Sequence, residues 1–323
     1  MASGSLPVQA IALMGPTASG KTDLAVALAQ RLNGEVISVD SALVYRGLNI
    51  GAAKPTMAER QGVVHHLLDI RDPEDPYSAA DFSRDAGLLV ADIIARQKVP
   101  ILAGGTMLYF KALLEGLSVM PEANPEVRGQ IEKEAQQYGW PHVHNELEKV
   151  DPEAAARIHP NHSQRLSRAL EVWRVSGKPI SEWQTGFSGG LLDKYRWLQL
   201  VVAPSDRKLL HRRIELRLEK MLQGGFIEEV KSLRSRPGVH KDLPAIRAVG
   251  YRQVWEHLDG DLSYPEMFDK ALVATRQLAK RQLTWLRGWQ GLNWLDTQKN
   301  SGELKELDEI LQDSLNFYEK RTI

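Results

Sequence analysis

A glycine-rich segment near the start of the chain has the residues needed to hold a chain of phosphates. Residues 15–22, Gly-Pro-Thr-Ala-Ser-Gly-Lys-Thr, match the pattern Gly-x-x-x-x-Gly-Lys-Ser/Thr. In this pattern backbone N–H groups and a helix N-terminus face the anion, and the lysine contacts the outer phosphate oxygens. A hydroxyl at the last position is typical of a Mg²⁺ ligand. The predicted diphosphate or triphosphate site comprises Gly15, Pro16, Thr17, Ala18, Ser19, Gly20, Lys21 and Thr22. Mg²⁺ is the predicted cofactor, and Thr22 is its predicted ligand.

The segments on either side of the loop support this interpretation. An apolar run, residues 10–14, precedes it, and a helical pattern with Leu24 and Leu28 on one face follows it. A strand, a loop and a helix in this order form the context that a phosphate-binding loop requires. A glycine-rich turn that binds nothing is disfavoured by that context.

A carboxylate and a guanidinium elsewhere in the sequence could act on a ligand of the loop. Asp40 ends a predicted strand over residues 35–39, where it could hold a cation, accept a proton or merely cap a turn. Arg217 lies on a predicted helix and could bind phosphate oxygens with its planar fork. From the sequence alone, a surface ion pair of Arg217 with Glu215 or Glu219 is the simpler interpretation.

The elements that must position these residues predict an α/β fold. Strands and helices alternate from residue 8 to about residue 118, which indicates a parallel sheet with crossover helices. A strand over residues 99–103 runs into Gly-Gly-Thr at 104–106. Ligands of open sheets gather at the carboxyl ends of the strands, so Thr17, Asp40 and Thr106 are expected at one edge.

The segment between residues 121 and 195 lacks the alternation of strands and helices that precedes it. Three helix-start signals lie between residues 121 and 195, and strand signals are absent there, which predicts a small all-helical insertion. A strand over 197–202 then resumes the sheet, followed by helices over 206–223, 244–258 and 265–289. The predicted domains are a core of residues 1–120 plus 196–323 and an insertion of residues 121–195.

Composition restricts the class of protein. The chain has 323 residues, no cysteine and no apolar run near the roughly 20 residues that span a bilayer. No disulfide or thiolate zinc site is possible, the first residues lack an export signal, and a cytoplasmic monomer is expected.

Net charge is zero, yet residues 207–287 hold 17 Lys/Arg against 10 Asp/Glu. This surplus indicates a polyanionic partner, although solvated helix faces would explain it equally well.

The chain resembles the bacterial tRNA dimethylallyltransferases, or IPP transferases, over residues 8 to 296. The resemblance is specific because six segments occur in the same order as in that family. They are residues 15–22, 39–43, 104–110, 164–170, 250–253 and 280–287. The resemblance implies a phosphate-loop sheet flanked by helices. It also implies transfer of a dimethylallyl group from dimethylallyl diphosphate to N6 of adenosine 37, beside the anticodon of tRNA. The partners would be that diphosphate and the anticodon stem-loop.

The same resemblance implies roles for individual residues. Asp40 would be the general base, Arg217 would grip the departing diphosphate, and Thr106 would complete the catalytic group. The implied tRNA contacts are Asp40, Ser41, Ala42, Leu43, Thr106, Arg128, Gln164, Arg165, Leu166, Ser167, Arg168, Arg247, Ala248, Val249, Gly250, Tyr251, Arg252, Lys280, Arg281, Gln282, Leu283, Thr284, Trp285, Leu286 and Arg287.

Two other functions are compatible with a phosphate loop. The first is a small-molecule kinase using ATP, for which the helical insertion would serve as a lid. The second is a non-enzymatic RNA-binding protein that uses a nucleotide as a switch. Neither needs six motifs in this order, and a small-metabolite kinase has no use for a basic carboxyl-terminal half. A zinc site made by the paired histidines is disfavoured because no carboxylate or thiolate pattern completes it.

Overall fold

The computed structural model describes residues 8–183, 186 and 188–322. The chain divides into two compact units, Met1–Leu114 with Leu191–Ile323, and Glu115–Gly190. The first unit is an α/β structure and the second is mainly helical. The boundaries of the second unit lie a few residues before the predicted ones at 121 and 195.

The first half of the α/β unit alternates strands with helices as the sequence predicts. Its elements are β1 (Ala10–Met14), α1 (Lys21–Arg31), β2 (Gly34–Val39), α2 (Met57–Arg60), β3 (His65–His66), α3 (Ala79–Ala95), β4 (Val99–Gly104) and α4 (Met107–Leu114). Helix α3 begins with a capping box, because the Ser78 side chain accepts from the Asp81 N–H and the Asp81 side chain accepts from the Ser78 N–H.

The helical unit has its own core. Its elements are β5 (Gly116–Leu117), α5 (Pro125–Tyr138), α6 (Trp140–Val150), α7 (Pro152–Arg157), α8 (Ser163–Ser176), α9 (Ile180–Trp183) and β6 (Ser188–Gly189). Apolar side chains such as Ile131, Leu147 and Leu170 are buried at its centre. The expectation that this segment has no strand is wrong, since β5 and β6 pair antiparallel. Gly116 permits the pairing, because a Cβ there would lie 2.2 Å from the Ser188 carbonyl oxygen.

The chain then returns to the α/β unit. The remaining elements are β7 (Trp197–Ala203), α10 (Arg207–Gln223), α11 (Phe226–Arg234), α12 (Tyr251–Leu258), α13 (Tyr264–Arg287), β8 (Asn293–Asp296) and α14 (Leu307–Thr322). The predicted helix over 244–258 is half wrong, because residues 244–250 form turns and α12 begins only at Tyr251. Gly250, the residue before it, has φ 94° and ψ −58°, which is not a helical conformation.

Six parallel strands form one sheet in the order β3-β2-β4-β1-β7-β8. The register aligns the carboxyl ends of three neighbouring strands, because Gly104 pairs with both Met14 and Val39. The residues that follow β1, β2 and β4 therefore start at one edge of the sheet. None of the helices in the described ranges has the length and apolar character needed to cross a membrane.

Candidate active site

The phosphate loop runs from the end of β1 to the start of α1, and two of its glycines are required by geometry. A Cβ on Gly15 would lie 2.3 Å from the Val202 carbonyl oxygen, so the close approach of β7 excludes a side chain. Gly20 caps α1 in the left-handed region, with φ 91°. The loop thus presents the amino end of α1, whose first turn has unpaired N–H groups, to its own interior.

Lys21 folds back over the loop. Its ammonium donates to the Pro16 carbonyl oxygen and lies 3.3 Å from Ser19 Oγ. Burial, together with the nearby charges of Arg217 and Arg213 and against the opposing charge of Asp40, lowers the pKa of Lys21 to about 7. These four charged side chains therefore share one site, and the site has a net positive charge when Lys21 is protonated.

Helix α10 brings two arginines to the loop. Arg213 Nε donates to the Ala18 carbonyl oxygen at 2.6 Å. Burial lowers the pKa of Arg217, the charge of Asp40 opposes this, and Arg213 adds to it. In the described part of the chain Arg217 has no ion pair, and Glu215 pairs with Arg276 at 3.2 Å. The simpler interpretation of Arg217 as a surface partner of Glu215 or Glu219 is therefore wrong.

The two carboxylate oxygens of Asp40 differ in their hydrogen bonding. Its Oδ1 accepts from the backbone N–H groups of Ala42 at 2.8 Å and Leu43 at 3.3 Å. Its Oδ2 has no hydrogen bond in the described part of the chain. The carboxylate can therefore fix the turn after β2 and still accept a proton from a ligand.

Thr106 ties the loop after β4 to the segment after β2. Its Oγ1 accepts from the Ser41 N–H at 3.1 Å, and its own N–H donates to the Val39 carbonyl oxygen at 3.2 Å. Thr106 is thus held beside Asp40, as the sheet edge predicts.

The residues that the resemblance assigns to tRNA divide into exposed and buried groups. On α13 the exposed ones are Lys280, Arg281, Thr284, Trp285 and Arg287, whereas Gln282, Leu283 and Leu286 are buried. Around the start of α12, Arg247 and Arg252 are exposed, Ala248 and Val249 are half-buried, and Gly250 and Tyr251 are buried. In α8, Gln164 and Arg165 are exposed, and Leu166 and Ser167 are buried.

Two of the buried groups are used inside the protein. The Tyr251 hydroxyl donates to Glu229 Oε1 at 2.6 Å and accepts from the Ala52 N–H at 3.1 Å. Leu286 is fully buried in the core of the α/β unit. Such side chains can support a nucleic-acid surface but cannot themselves contact RNA on it.

A buried carboxylate organises two arginines of the helical unit. Glu171, which is 0% exposed, accepts from Arg128 at 2.9 Å, Arg168 at 3.0 Å and the Asn124 N–H at 2.7 Å. Burial alone would raise the pKa of Glu171, but the hydrogen bonds from both arginines bring it below its ordinary value. Sequence reasoning missed Glu171, although its spacing of three from Arg168 on a helix was an available signal.

Metal ligands are sparse around the loop. The described ranges contain no group of three His, Asp or Glu side chains that could hold a metal ion. Thr22 is exposed beside Lys21 and offers one hydroxyl. Mg²⁺ commonly binds through few protein ligands, with phosphate oxygens and water completing its shell, so this donor set fits that ion.

Comparison with known proteins places the site in context. A family model described as IPP transferase matches residues 43–289. The tRNA isopentenylpyrophosphate transferase of Bacillus halodurans is 37% identical with a TM-score of 0.69, covering 97% of this chain and 98% of that one. The tRNA delta(2)-isopentenylpyrophosphate transferase of Staphylococcus epidermidis is 33% identical with a TM-score of 0.69, covering 98% and 99%.

A eukaryotic dimethylallyltransferase, solved acting on tRNA, is also similar. It is 27% identical with a TM-score of 0.73 over 90% of this chain and 74% of that one. The family match covers most of the chain, and both bacterial structures are matched nearly end to end. By sequence and by fold, the chain belongs to the IPP transferase family.

Proposed function

We propose that this protein transfers a dimethylallyl group from dimethylallyl diphosphate to N6 of adenosine 37 in tRNA, releasing diphosphate. The observation that carries the proposal is the grouping of Lys21, Arg217 and Asp40 around the phosphate loop. Cations on the loop suit a leaving diphosphate, and a carboxylate beside them suits a base. The relatives described above support it, because their names give tRNA isopentenylpyrophosphate transferases and a dimethylallyltransferase acting on tRNA.

The reaction begins at the bond between the allylic carbon and the diphosphate oxygen. As this bond breaks, its electron pair moves to the diphosphate, whose negative charge increases. Lys21 and Arg217 stabilise that charge, and stabilisation of developing charge is often the largest single contribution to catalysis. The Arg217 guanidinium presents a planar pair of donors that matches paired phosphate oxygens.

The second half of the reaction forms the carbon–nitrogen bond. The lone pair of the adenine amine attacks the allylic carbon, and the nitrogen then carries a proton that must leave. Asp40 Oδ2 accepts this proton, while Oδ1 keeps the turn after β2 in place. General-base assistance of this kind is worth about 10²–10⁴-fold in rate.

Thr22 is the residue proposed to hold Mg²⁺, together with diphosphate oxygens and water. Such an ion supplies charge neutralisation to a leaving diphosphate.

The tRNA partner is proposed to bind through its anticodon stem-loop. The exposed basic residues Arg247, Arg252, Lys280, Arg281 and Arg287 supply charge for phosphate contacts. Because N6 of a stacked adenine is inaccessible, the target base must leave the stack to reach Asp40. The reaction would take place in the cytoplasm, on tRNA.

The experiment is incubation of the purified protein with unmodified anticodon stem-loop, dimethylallyl diphosphate and Mg²⁺, without ATP, followed by mass spectrometry of the RNA. A mass gain of one dimethylallyl group on the nucleoside beside the anticodon is expected. An unmodified RNA would refute the proposal, most directly if the protein instead moved phosphate from ATP to a small acceptor. Substituting guanosine for adenosine 37 provides the matched control, since it removes the N6 amine.

A further inference from the structure

Gln282 on α13 connects two loops of the active site. Its side-chain Oε1 accepts a hydrogen bond from the Thr17 N–H at 2.9 Å, and its Nε2 donates to the Gly105 carbonyl oxygen at 2.8 Å. Thr17 belongs to the phosphate loop after β1, and Gly105 belongs to the loop after β4. The residue is only 8% exposed, so both bonds are shielded from water.

The close packing and the two hydrogen-bond partners at position 282 require a glutamine side chain. A Cβ on Gly105 would lie 2.4 Å from Gln282 Nε2, so the amide is seated directly against the backbone. One partner is an N–H and the other is a carbonyl, which fixes the orientation of the amide and requires one acceptor and one donor. Glutamate could not donate, methionine could do neither, and asparagine is one methylene shorter.

The bonds continue toward the proposed base. Gly105 precedes Thr106, whose Oγ1 accepts from the Ser41 N–H, and Ser41 follows Asp40. A continuous chain of hydrogen bonds and short backbone segments therefore joins the phosphate loop to the carboxylate. Its members come from the ends of β1, β4 and β2, and Gln282 is the one link supplied by a distant helix.

A direct contact with RNA, which the resemblance implies for the segment 280–287, explains Gln282 poorly. Both polar ends of its amide are already bonded inside the protein, and breaking them would leave the Thr17 N–H and the Gly105 carbonyl unpaired. Its exposed neighbours Arg281 and Thr284 are available to a nucleic acid instead.

We propose that Gln282 is a positioning residue, which sets the phosphate loop at a fixed distance from the loop that bears Thr106 and, through it, from Asp40. The expected effect of Gln282 on dimethylallyl transfer rests on the proposed function. Its expected effect on anion binding by the phosphate loop does not, because a loop anchored in advance binds an anion at lower entropic cost.

The test compares Gln282→Met, which keeps the volume but loses both bonds, with Gln277→Met. Gln277 is an exposed glutamine on the same helix and serves as the matched control. Inorganic pyrophosphate binding is measured by calorimetry, stem-loop binding by filter retention, and dimethylallyl transfer by kcat and KM. For Gln282→Met, loss of two buried hydrogen bonds is expected to raise the pyrophosphate Kd and lower kcat by about tenfold each, with stem-loop Kd within about twofold.

Several outcomes would overturn the inference. An unchanged pyrophosphate Kd in Gln282→Met would do so, as would a tenfold loss of stem-loop affinity alone, which would assign the residue to RNA. Failure of the proposed function is a separate result, because wild-type protein would then bind pyrophosphate without modifying RNA.

A measurement on unaltered protein guards against a variant that does not fold. The Thr17 amide hydrogen of wild type is expected to exchange with solvent at least tenfold more slowly than an unprotected amide. Exchange at the unprotected rate would mean that the bond to Gln282 does not form in solution, and the inference would fail.

Discussion

Thr106 Oγ1 accepts a hydrogen bond of 3.1 Å from the backbone N–H of Ser41, the residue that follows Asp40. This bond is made between two loops, and it leaves the Asp40 side chain free to bond the next two N–H groups. The turn around Asp40 is therefore held from both sides. A carboxylate held in this way keeps one oxygen in a constant position, as a proton acceptor requires.

Asp40→Asn should separate the structural and chemical roles of this side chain. The amide oxygen can still accept from the Ala42 and Leu43 N–H groups, so the turn and the stem-loop affinity should be preserved. Because an amide cannot take up a proton, kcat should fall by about 10²–10⁴-fold. Single-turnover kinetics and stem-loop binding measure the two effects. Asp193→Asn, which changes an exposed aspartate of the same unit, is the control, and equal kcat in both variants would remove Asp40 as the base.

Lys21 should take up a proton when an anion binds above neutral pH. Burial and the nearby arginines lower its pKa to about 7, so most Lys21 is neutral at pH 8. A bound pyrophosphate favours the charged ammonium and raises that pKa, which draws a proton from solution. Calorimetry at pH 8 in buffers of different ionisation enthalpy should show more uptake for wild type than for Lys21→Met. Pyrophosphate affinity should also weaken as the pH rises above 7, and a flat profile would contradict the lowered pKa.

The same pKa has a consequence for stability. In the unfolded chain Lys21 keeps its proton to near 10.5, whereas in the folded protein it releases it near 7. The unfolded state thus binds more protons between these values, and this group makes the free energy of unfolding rise with pH across that window. Denaturant titrations of ligand-free protein at pH 6.5 and pH 9 should show this rise, and Lys21→Met should reduce it.

Arg217→Lys should reveal how far the fork of the guanidinium matters beyond its charge. Lysine keeps the positive charge but presents no paired donors to phosphate oxygens, so pyrophosphate affinity should fall about tenfold, and about a hundredfold in Arg217→Ala. Arg212→Lys changes an exposed arginine on the same helix and should have no effect. Identical affinities in the Arg217 and Arg212 variants would place Arg217 outside the diphosphate site.

Arg287→Ala should weaken stem-loop binding without affecting pyrophosphate. Arg287 is exposed at the end of α13, where a phosphate contact would release a counterion. The slope of log affinity against log salt should become shallower by about 1. Arg31→Ala, at the exposed end of α1, is the control. If the two variants have the same slope, Arg287 does not contact RNA phosphate.

Glu171→Gln should destabilise the helical unit. The amide carries no charge to offset Arg128 and Arg168, which converge on this buried position, so the free energy of unfolding should fall by about 2 kcal/mol. The pKa of Glu171 lies below its ordinary value, so its stabilisation is present at neutral pH and is lost as the pH falls through that lowered pKa. Calorimetric unfolding at pH 7 measures the first effect, and unfolding at a series of pH values below 4.5, the ordinary value for glutamate, measures the second. The exposed Glu132→Gln should be neutral throughout.

Some features of the tertiary structure cannot be predicted from local sequence patterns, and the inward direction of the Gln282 side chain is the clearest example. The resemblance implies an RNA contact for residues 280–287, and the basic residues Lys280 and Arg287 on either side of Gln282 support it. Only the packing of α13 against the sheet turns this one side chain inward to Thr17 and Gly105. The start of α12 is a second case, since Gly250 interrupts a segment that otherwise has helical periodicity.

The residue pattern alone predicts the phosphate loop and the edge of the sheet on which the loop lies. Consecutive residues make a strand, a glycine turn and a helix, and the carboxyl ends of parallel strands must meet, so Thr17, Asp40 and Thr106 could be placed together in advance. The packing of the folded chain, in contrast, turns Arg217 toward the loop and away from the neighbouring glutamates, and it makes Gln282 a link between two loops. Those contacts link residues far apart in the chain, and the direction of a helix face is set by what it packs against, which no local pattern contains.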